Sequence, residues 1–401
     1  MRVTLIGVGG AADTLTWEAR EALERAELVL GAQRLLDALP PRAGQRRAAA
    51  VRAEEIAGIL RRGAAAESCV VYSGDTGFYS GARDLTPLLD AAGTDYRVLP
   101  GVSSVQMLAS RLRRPWQDWT LRSAHGVGCD AVAAVMTGRP AFFLTGGENT
   151  PSTLCGALTD AGLGALAVTV GENLSRPDAR VVETTASEAA DMTFAPLSVL
   201  LVESAPRPFA RSGAIPDEAF CRGEVPMTKQ MVRAAILASL GVMPEETVWD
   251  VGAGTGSVSV ELALAARQGR VFAVERRADA CALVRRNRER FGAWNLTVVE
   301  GEAPAALEAL PAPDAVFVGG SGGNLRAILA AAAARNPNVR LCLSAIALET
   351  LSAAISALKE MDLETEITQI SVSRTRTAGE LHLLTANNPV FLLTAKRGGA
   401  V

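Results

Sequence analysis

The sequence predicts an α/β protein built from two successive modules. Three observations carry this: short β-branched runs alternate with helix-period segments, glycine-rich turns follow several of those runs at once, and a proline-rich stretch interrupts the rhythm near mid-chain. At 401 residues the chain exceeds what one core usually organises, since domains typically hold about 100 to 200 residues. The interruption holds Pro206, Pro208, Pro216 and Pro226 among polar neighbours and reads as a linker. The boundary is expected near residue 210, giving modules 1–210 and 211–401.

In the first module strands are expected at 2–6, 68–72, 96–99, 141–144, 167–170 and 198–202, with turns rich in Gly and Pro. The second module is more regular, with strands at 247–251, 270–274, 296–299, 315–318 and 340–344 and helices between them. That is the rhythm of βαβ units on a parallel sheet. Its end changes character, and 364–372 with 390–395 reads as a closing antiparallel pair. The alanine-rich tract 327–334 is good helix former.

Composition excludes several function classes. Apolar residues make up 49% and charged residues 21%, so the chain is neither disordered nor fibrous. A formal net charge of -3 leaves no basic field to hold a phosphate backbone, and no nucleic-acid partner is expected. No run approaches the ~18 apolar residues of a membrane span, and the short run 3–6 meets Gly7 at once. No membrane partner and a cytoplasmic location are therefore expected.

Lysine occurs only at Lys229, Lys359 and Lys396, so the cations are nearly all arginine, whose planar forks suit carboxylates. A general composition bias would look the same. The six cysteines (Cys69, Cys129, Cys155, Cys221, Cys281, Cys342) form no C-x-x-C pair, and the histidines are His125 and His382. No metal site is expected, and the thiols read as reduced packing residues.

The densest motif follows 247–251: Gly252-Ala253-Gly254-Thr255-Gly256, then a helical 257–267. Glycines there let backbone approach a ligand at the carboxyl end of a strand, where open α/β sheets bind. Glu275 closes the next strand, 23 positions after Gly252, and can accept hydrogen bonds from both hydroxyls of a ribose. A dinucleotide fingerprint requires Gly or Ala where Ser257 stands, so the G-x-G-x-G spacing favours S-adenosylmethionine over NAD. A plain strand-to-helix turn is the alternative, against which Glu275 and the acidic turn Glu300-Gly301-Glu302-Ala303 count.

Four turns stand out in the first module: Gly7-Val8-Gly9-Gly10, Ser73-Gly74-Asp75-Thr76-Gly77, Pro100-Gly101-Val102-Ser103-Ser104 and Gly171-Glu172-Asn173. On residue chemistry alone they are plain connections or the lining of a cleft, with little to choose between the two. In their order, and with Phe78-Tyr79, Leu174 and Pro177-Asp178, they resemble the loops of the tetrapyrrole methylase family. Thr76 stands where that family usually has Pro, and Ala11-Ala12 where a polar-Gly pair is usual.

The second module resembles the decarboxylating precorrin methyltransferases of Rossmann-like fold. The resemblance rests on Pro226-Met227-Thr228-Lys229, Gly252 to Gly256, Glu275, Glu300-Gly301-Glu302-Ala303-Pro304 and Val318-Gly319-Gly320-Ser321-Gly322-Gly323. Joined in this order, the two modules resemble the precorrin-6Y C(5,15)-methyltransferase (decarboxylating) family.

The resemblance implies a two-lobed tetrapyrrole methylase fold followed by a Rossmann-like class I methyltransferase fold. It also implies two S-adenosylmethionine sites. One is expected at Gly7, Gly9, Gly74, Asp75, Ser103, Ser104 and Gly171; the other at Thr228, Gly252, Ala253, Gly254, Thr255, Gly256, Glu275 and Ala303. Thr228 has a plainer alternative as the N-cap of the following helix.

The implied chemistry is methylation of meso carbons 5 and 15 of a reduced tetrapyrrole (precorrin-6Y or 6B) in cobalamin biosynthesis, with loss of the ring C acetate carboxyl. The first module would serve carbon 5 and the second carbon 15 and the decarboxylation. Such carbons are enamine-like nucleophiles, so alignment of donor and acceptor is the main task and no catalytic nucleophile is assigned. Arg222, Lys229 and Arg233, at helical spacing, and His125 are candidates for binding the acidic substrate, with solvated or locally satisfied side chains as the alternative. The resemblance further implies a homo-oligomer, with a tetramer as one form of it. Two rival functions are a nicotinamide-dependent reductase using the Gly252 loop and a corrinoid carrier whose first module is inactive.

Overall fold

The structure, a computed structural model, describes residues 2–10, 12–63, 65–126, 128–205 and 214–398. Ala11, Pro206, Pro208 and the expected boundary near residue 210 lie outside the described residues. The chain divides into two compact units: Met1–Cys129 with Arg139–Gly156 and Ala165–Glu203, and Asp130–Gly138 with Ala157–Gly164 and Ser204–Val401.

The first unit holds two sheets. Strands β1 (Arg2–Gly7), β2 (Leu28–Gly31), β3 (Arg46–Ala49), β4 (Glu67–Tyr72) and β5 (Asp95–Leu99) pair in parallel in the order β3-β2-β4-β1-β5. Both faces are covered, as parallel sheets require. Val3, Leu5, Leu30 and Val70 pack with Ile56, Leu60 and Leu85 on one face. Ile6, Val29 and Val71 pack with Ala19, Ala22 and Leu36 on the other. Helix Trp17–Arg25 begins where the Thr16 hydroxyl accepts from the Ala19 amide, and it buries Ala19 and Ala22 against this sheet.

The second sheet is mixed. It holds β6 (Thr120–Ser123), β7 (Ala141–Leu144), β8 (Ala167–Glu172), β9 (Arg180–Thr185) and β10 (Ser198–Val202) in the order β6-β7-β10-β8-β9. Four strands, β2, β3, β6 and β9, fall outside the sequence expectation. The last three lie at sheet edges with mostly half-exposed residues, so no apolar run marks them, and β2 has only four residues.

In the second unit, β11 (Thr247–Val251), β12 (Arg270–Glu275), β13 (Leu296–Glu300), β14 (Ala315–Val318) and β15 (Arg340–Ala345) form the expected parallel set. β16 (Glu364–Ile370), β17 (Ser373–Ala378), β18 (Leu381–Ala386) and β19 (Val390–Lys396) follow. The sheet order is β13-β12-β11-β14-β15-β19-β16, with β19 antiparallel to both neighbours. β17 and β18 pair as a separate exposed hairpin that no sequence alternation announces.

Strand order reverses between β11 and β14 here, and around β1 in the first sheet. Open α/β sheets carry a crevice at the carboxyl edge of the strands at such places. The first crevice depends on very close backbone packing: a Cβ on Gly101 would lie 2.3 Å from the Gly74 carbonyl oxygen and 2.4 Å from that of Gly7. Gly101→Ala therefore forces the loops apart and is expected to destabilise the protein by about 1–3 kcal/mol. A urea unfolding midpoint equal to that of the unsubstituted chain would contradict this packing.

Candidate functional site

In the second unit residues 252–255, Glu275 and Gly301–Ala303 line one cavity of about 530 Å³, together with Pro226–Lys229, Gly319–Gly322 and Asn387–Asn388. This lies within the range of small-molecule sites. Gly252 and Ala253 donate their amides to the Val274 carbonyl, which lays the turn across the end of β12. A Cβ on Gly252 would sit 2.4 Å from the Gly320 carbonyl oxygen, so this turn too is fixed by a close backbone approach. Glu275 accepts from the Gly254 amide through Oε2 and from the Arg277 amide through Oε1, both at 3.0 Å. These two bonds orient the carboxylate at the cavity wall.

Ala253, Gly254, Thr255, Thr228, Lys229 and Ala303 line the same cavity. Gly256 does not; it adopts a left-handed conformation at the N-terminus of helix Ser257–Ala265 and sets the direction of that helix. Lys229, not Thr228, holds the N-cap position of helix Gln230–Leu240. The capping alternative for Thr228 is corrected accordingly.

Arg233 requires a larger correction. Its side chain is fully buried and carries no surface for a substrate. It donates to Asp217 at 2.7 Å, to Glu261 at 2.8 Å and to the carbonyls of Thr228 and Ile215, and its guanidinium stacks on Phe220. Helical spacing placed it beside Lys229, but the face it shares turns inward. Arg233 therefore anchors the segment carrying Thr228. Arg222 is half-exposed, donates to the Asp217 carbonyl at 3.0 Å and stands apart from the cavity lining.

Two further residues of this site escaped the sequence reading. Asn287, fully buried, donates to the carbonyls of Thr255 and Cys221 and accepts from the Cys221 amide, tying the glycine turn to the segment before Pro226. Asp250 lies inside β11, lines the cavity and accepts from the Ser259 hydroxyl, while its Oδ1 is buried without a partner. A carboxylate within the apolar run Thr247–Val251 was the available signal. Burial pushes the Asp250 carboxyl up to about 7, and the nearby negative Glu275 adds to the rise, against the lowering effect of the Ser259 hydroxyl.

In the first unit a cavity of about 740 Å³ is lined by Gly9, Gly74, Asp75, Ser103, Ser104, His125 and Gly171 among others. Gly9 and Gly74 exchange backbone hydrogen bonds at 3.0 and 2.8 Å. Asp75 accepts from the Gly77 and Gly101 amides, which joins the loops after β4 and β5. Gly7 lies beneath, against Gly101 and Gly74, as a packing residue of the loop junction. Ser103 closes a capping box with Gln106 and so fixes the start of helix Ser104–Leu112. Thr76, the departure from the family pattern, donates to the Leu99 carbonyl at 3.1 Å and keeps its loop tied to β5. His125 Nδ1 lies 3.2 Å from the Thr145 carbonyl oxygen.

Comparison with known proteins bears on these two crevices. The sequence family of the tetrapyrrole (corrin/porphyrin) methylases matches residues 2–190, and that of the precorrin methyltransferase domain matches 218–397. The chain is 46% identical over 191 residues to a probable cobalt-precorrin-6B C(15)-methyltransferase (decarboxylating) of Pyrobaculum calidifontis, covering 47% of this chain and 97% of that one. It is 35% identical over 292 residues to the precorrin-6Y C(5,15)-methyltransferase [decarboxylating] of Sinorhizobium sp, covering 72% and 70% of the two chains.

The chain belongs to the precorrin-6Y C(5,15)-methyltransferase (decarboxylating) family.

A crystal structure of a precorrin-6Y C5,15-methyltransferase from Geobacter metallireducens GS-15 aligns with 36% identity and a TM-score of 0.45, over 46% of this chain and 97% of that one. Methyltransferases of this family use S-adenosylmethionine, and the second cavity fits it. The donor is a sulfonium cation on a nucleoside, and the cavity offers Glu275 at the wall together with two buried polar atoms without partners, Oδ1 of Asp250 and Oγ1 of Thr255. Among the described residues no metal-binding cluster occurs and no helix is long and apolar enough to cross a membrane.

The raised Asp250 carboxyl has a consequence for stability. Its folded-state pKa lies above the ordinary value, so its stabilising contribution is complete below that ordinary value and is lost as pH rises through about 7. Asp250→Asn removes this loss. The melting temperature of the variant relative to the unsubstituted chain is expected to climb between pH 5 and pH 8, and a difference constant across that range would refute the assignment.

Proposed function

We propose that the chain is a bifunctional S-adenosylmethionine-dependent C-methyltransferase of cobalamin biosynthesis, with one donor site in each unit. On this reading it methylates carbons 5 and 15 of a precorrin-6Y or 6B tetrapyrrole and removes the ring C acetate carboxyl as carbon dioxide. The observation that carries the reading is the presence of a glycine-lined crevice in each unit, each falling within its own family match in the order of the bifunctional relative. The first unit serves carbon 5, and the second serves carbon 15 and the decarboxylation.

S-adenosylmethionine, when bound, supplies an electrophilic methyl group. The residues of the chain do the positioning. In the second unit Glu275 is placed to accept from ribose hydroxyls, the 252–255 backbone lines the space for the donor, and Asp250 and Thr255 each keep one buried oxygen without a partner in that wall. In the first, the loops joined by Asp75 offer backbone groups, and Ser104 and Gly171 complete the lining. Lys229 and His125 line their cavities where an acidic substrate arm would arrive. The acceptor carbons are already nucleophilic, so alignment at near-attack distance is the principal contribution of the protein.

Two observations bear on the rival functions. Gly256 closes the turn in place of a third dinucleotide glycine, which disfavours a nicotinamide reductase. The Thr76 hydrogen bond keeps the first cavity assembled, which removes the motive for reading that unit as a mere carrier.

Calorimetric titration with S-adenosylmethionine is expected to give two sites per chain. Glu275→Gln should weaken one of them about tenfold to a hundredfold, the cost of a charge-assisted hydrogen bond, and leave the other unchanged. A single site in the unsubstituted protein would overturn the two-site reading.

We further propose a cytoplasmic homo-oligomer centred on the second unit, with a tetramer as one form of it. No disulfide joins any two of the six cysteines, and burial pushes the thiols of Cys69, Cys155 and Cys342 up to about 12, which suits packing residues in a reducing compartment. Ile367 on edge strand β16 is exposed, as are Leu381 and Leu383, which share one face of strand β18 in the hairpin, apolar surface suited to burial between copies. The double substitution Leu381→Glu with Leu383→Glu should lower the mass seen by light scattering to that of one chain. An unchanged mass would place the interface elsewhere.

A further inference from the structure

The lining of the second cavity is chemically divided. Its charged residues, Asp250, Glu275, Glu302, Lys229, Arg276 and Arg277, come from the β11, β12 and β13 ends and the segment before helix Gln230–Leu240. The part built by β15, β16 and β19 holds Ser344, Ile346, Ile370, Val372, Asn387, Asn388 and Val390, with no charge among them. The β16 and β19 ends meet at the Ile370–Val390 pair, and the Asn387 amide donates to the Val372 carbonyl at 2.9 Å, which fixes the two asparagines at the root of the β17–β18 hairpin.

We propose that Asn387 and Asn388 seat the carboxylate arm that is lost as carbon dioxide. This rests on the methylation and decarboxylation activity proposed above. In that step the bond between the arm's methylene carbon and its carboxyl carbon breaks. The electron pair passes to the methylene carbon and into the conjugated macrocycle, carbon dioxide leaves, and the methylene carbon takes a proton from water. Negative charge therefore moves off the carboxyl group as the reaction proceeds. A cation paired with the carboxylate would stabilise the starting state more than the transition state and slow the step. Two neutral amides, each with two N–H donors, orient the group without that penalty, and the side chains of Ile346, Ile370, Val372 and Val390 beside them add no charge. The cations have other occupations: Arg277 pairs with Asp279 at 2.7 Å and Arg276 with Glu302 at 3.6 Å, while Lys229, on the charged side, suits an arm that is retained. Asn387 and Asn388 are thus positioning residues for decarboxylation alone.

The test compares the full-length protein with Asn387→Ala, Asn388→Ala, Asn387→Lys and Asn388→Lys, using the reduced tetrapyrrole and labelled S-adenosylmethionine, with products resolved by mass spectrometry. All four variants should accumulate product that carries the new methyl groups but is heavier by one carbon dioxide. The decarboxylated share should fall about tenfold or more, the scale of a misplaced reacting group, and methyl incorporation should fall by much less. Circular dichroism verifies folding, and the alanine variants decide the matter if the lysine variants do not fold. Normal methylation with an unaltered product ratio, or equal loss of both reactions in folded variants, would overturn the seat. No methyl transfer by the unsubstituted protein would instead overturn the activity on which the seat rests.

Discussion

Both crevices exist because loops leaving neighbouring strands meet backbone against backbone. Where Gly7, Gly74 and Gly101 converge, and where Gly252 meets Gly320, one added carbon would lie well inside contact distance. The consequence reaches beyond packing. Strand ends brought this close present their amides to one small volume, and in the second unit the Gly254 amide then holds Glu275 in place. In both units this happens at the place where the strand order reverses. Glycine at those positions is thus a requirement of the sheet before it is a requirement of any ligand.

The two units reach similar crevices by different supports. In the first, a carboxylate between loops does the joining, with Asp75 accepting from two amides and the Thr76 hydroxyl tying the same turn to β5. In the second, the supports are internal to the core: Asn287 clasps the glycine turn, and Arg233 holds the segment of Thr228 through two carboxylates and two carbonyls. A buried ion network is weak evidence of net stability, because desolvation opposes the attraction, and its use here is to fix one arrangement of the wall.

Much of this was legible in the sequence. The five parallel strands of the second unit and its closing antiparallel pair follow from apolar runs bounded by turns, and the glycine turn with Glu275 follows from spacing. The missing parts have physical reasons. Edge strands such as β3 and β9 carry no continuous apolar run, since their residues stay half exposed. Arg233 misled because helical spacing gives adjacency on a helix but not the direction of the shared face, whereas the burial of Asp217 and Glu261 that draws it inward is a tertiary fact. Asn287 lies 32 positions from Thr255, beyond the reach of any local pattern. Asp250 was visible as a lone acid in an apolar strand, but its unpaired oxygen was not.

The internal placement of Arg233 also restricts how such a sequence can drift. Removing the cation alone strands Asp217 and Glu261 in the interior, and removing either acid unbalances the rest; a step of this kind costs about 3–5 kcal/mol. Folded domains have only about 5–15 kcal/mol in hand. Departure from this arrangement therefore calls for coordinated replacement at several positions, which makes positions 217, 233 and 261 an evolutionary ratchet lying just behind the Thr228 wall of the cavity.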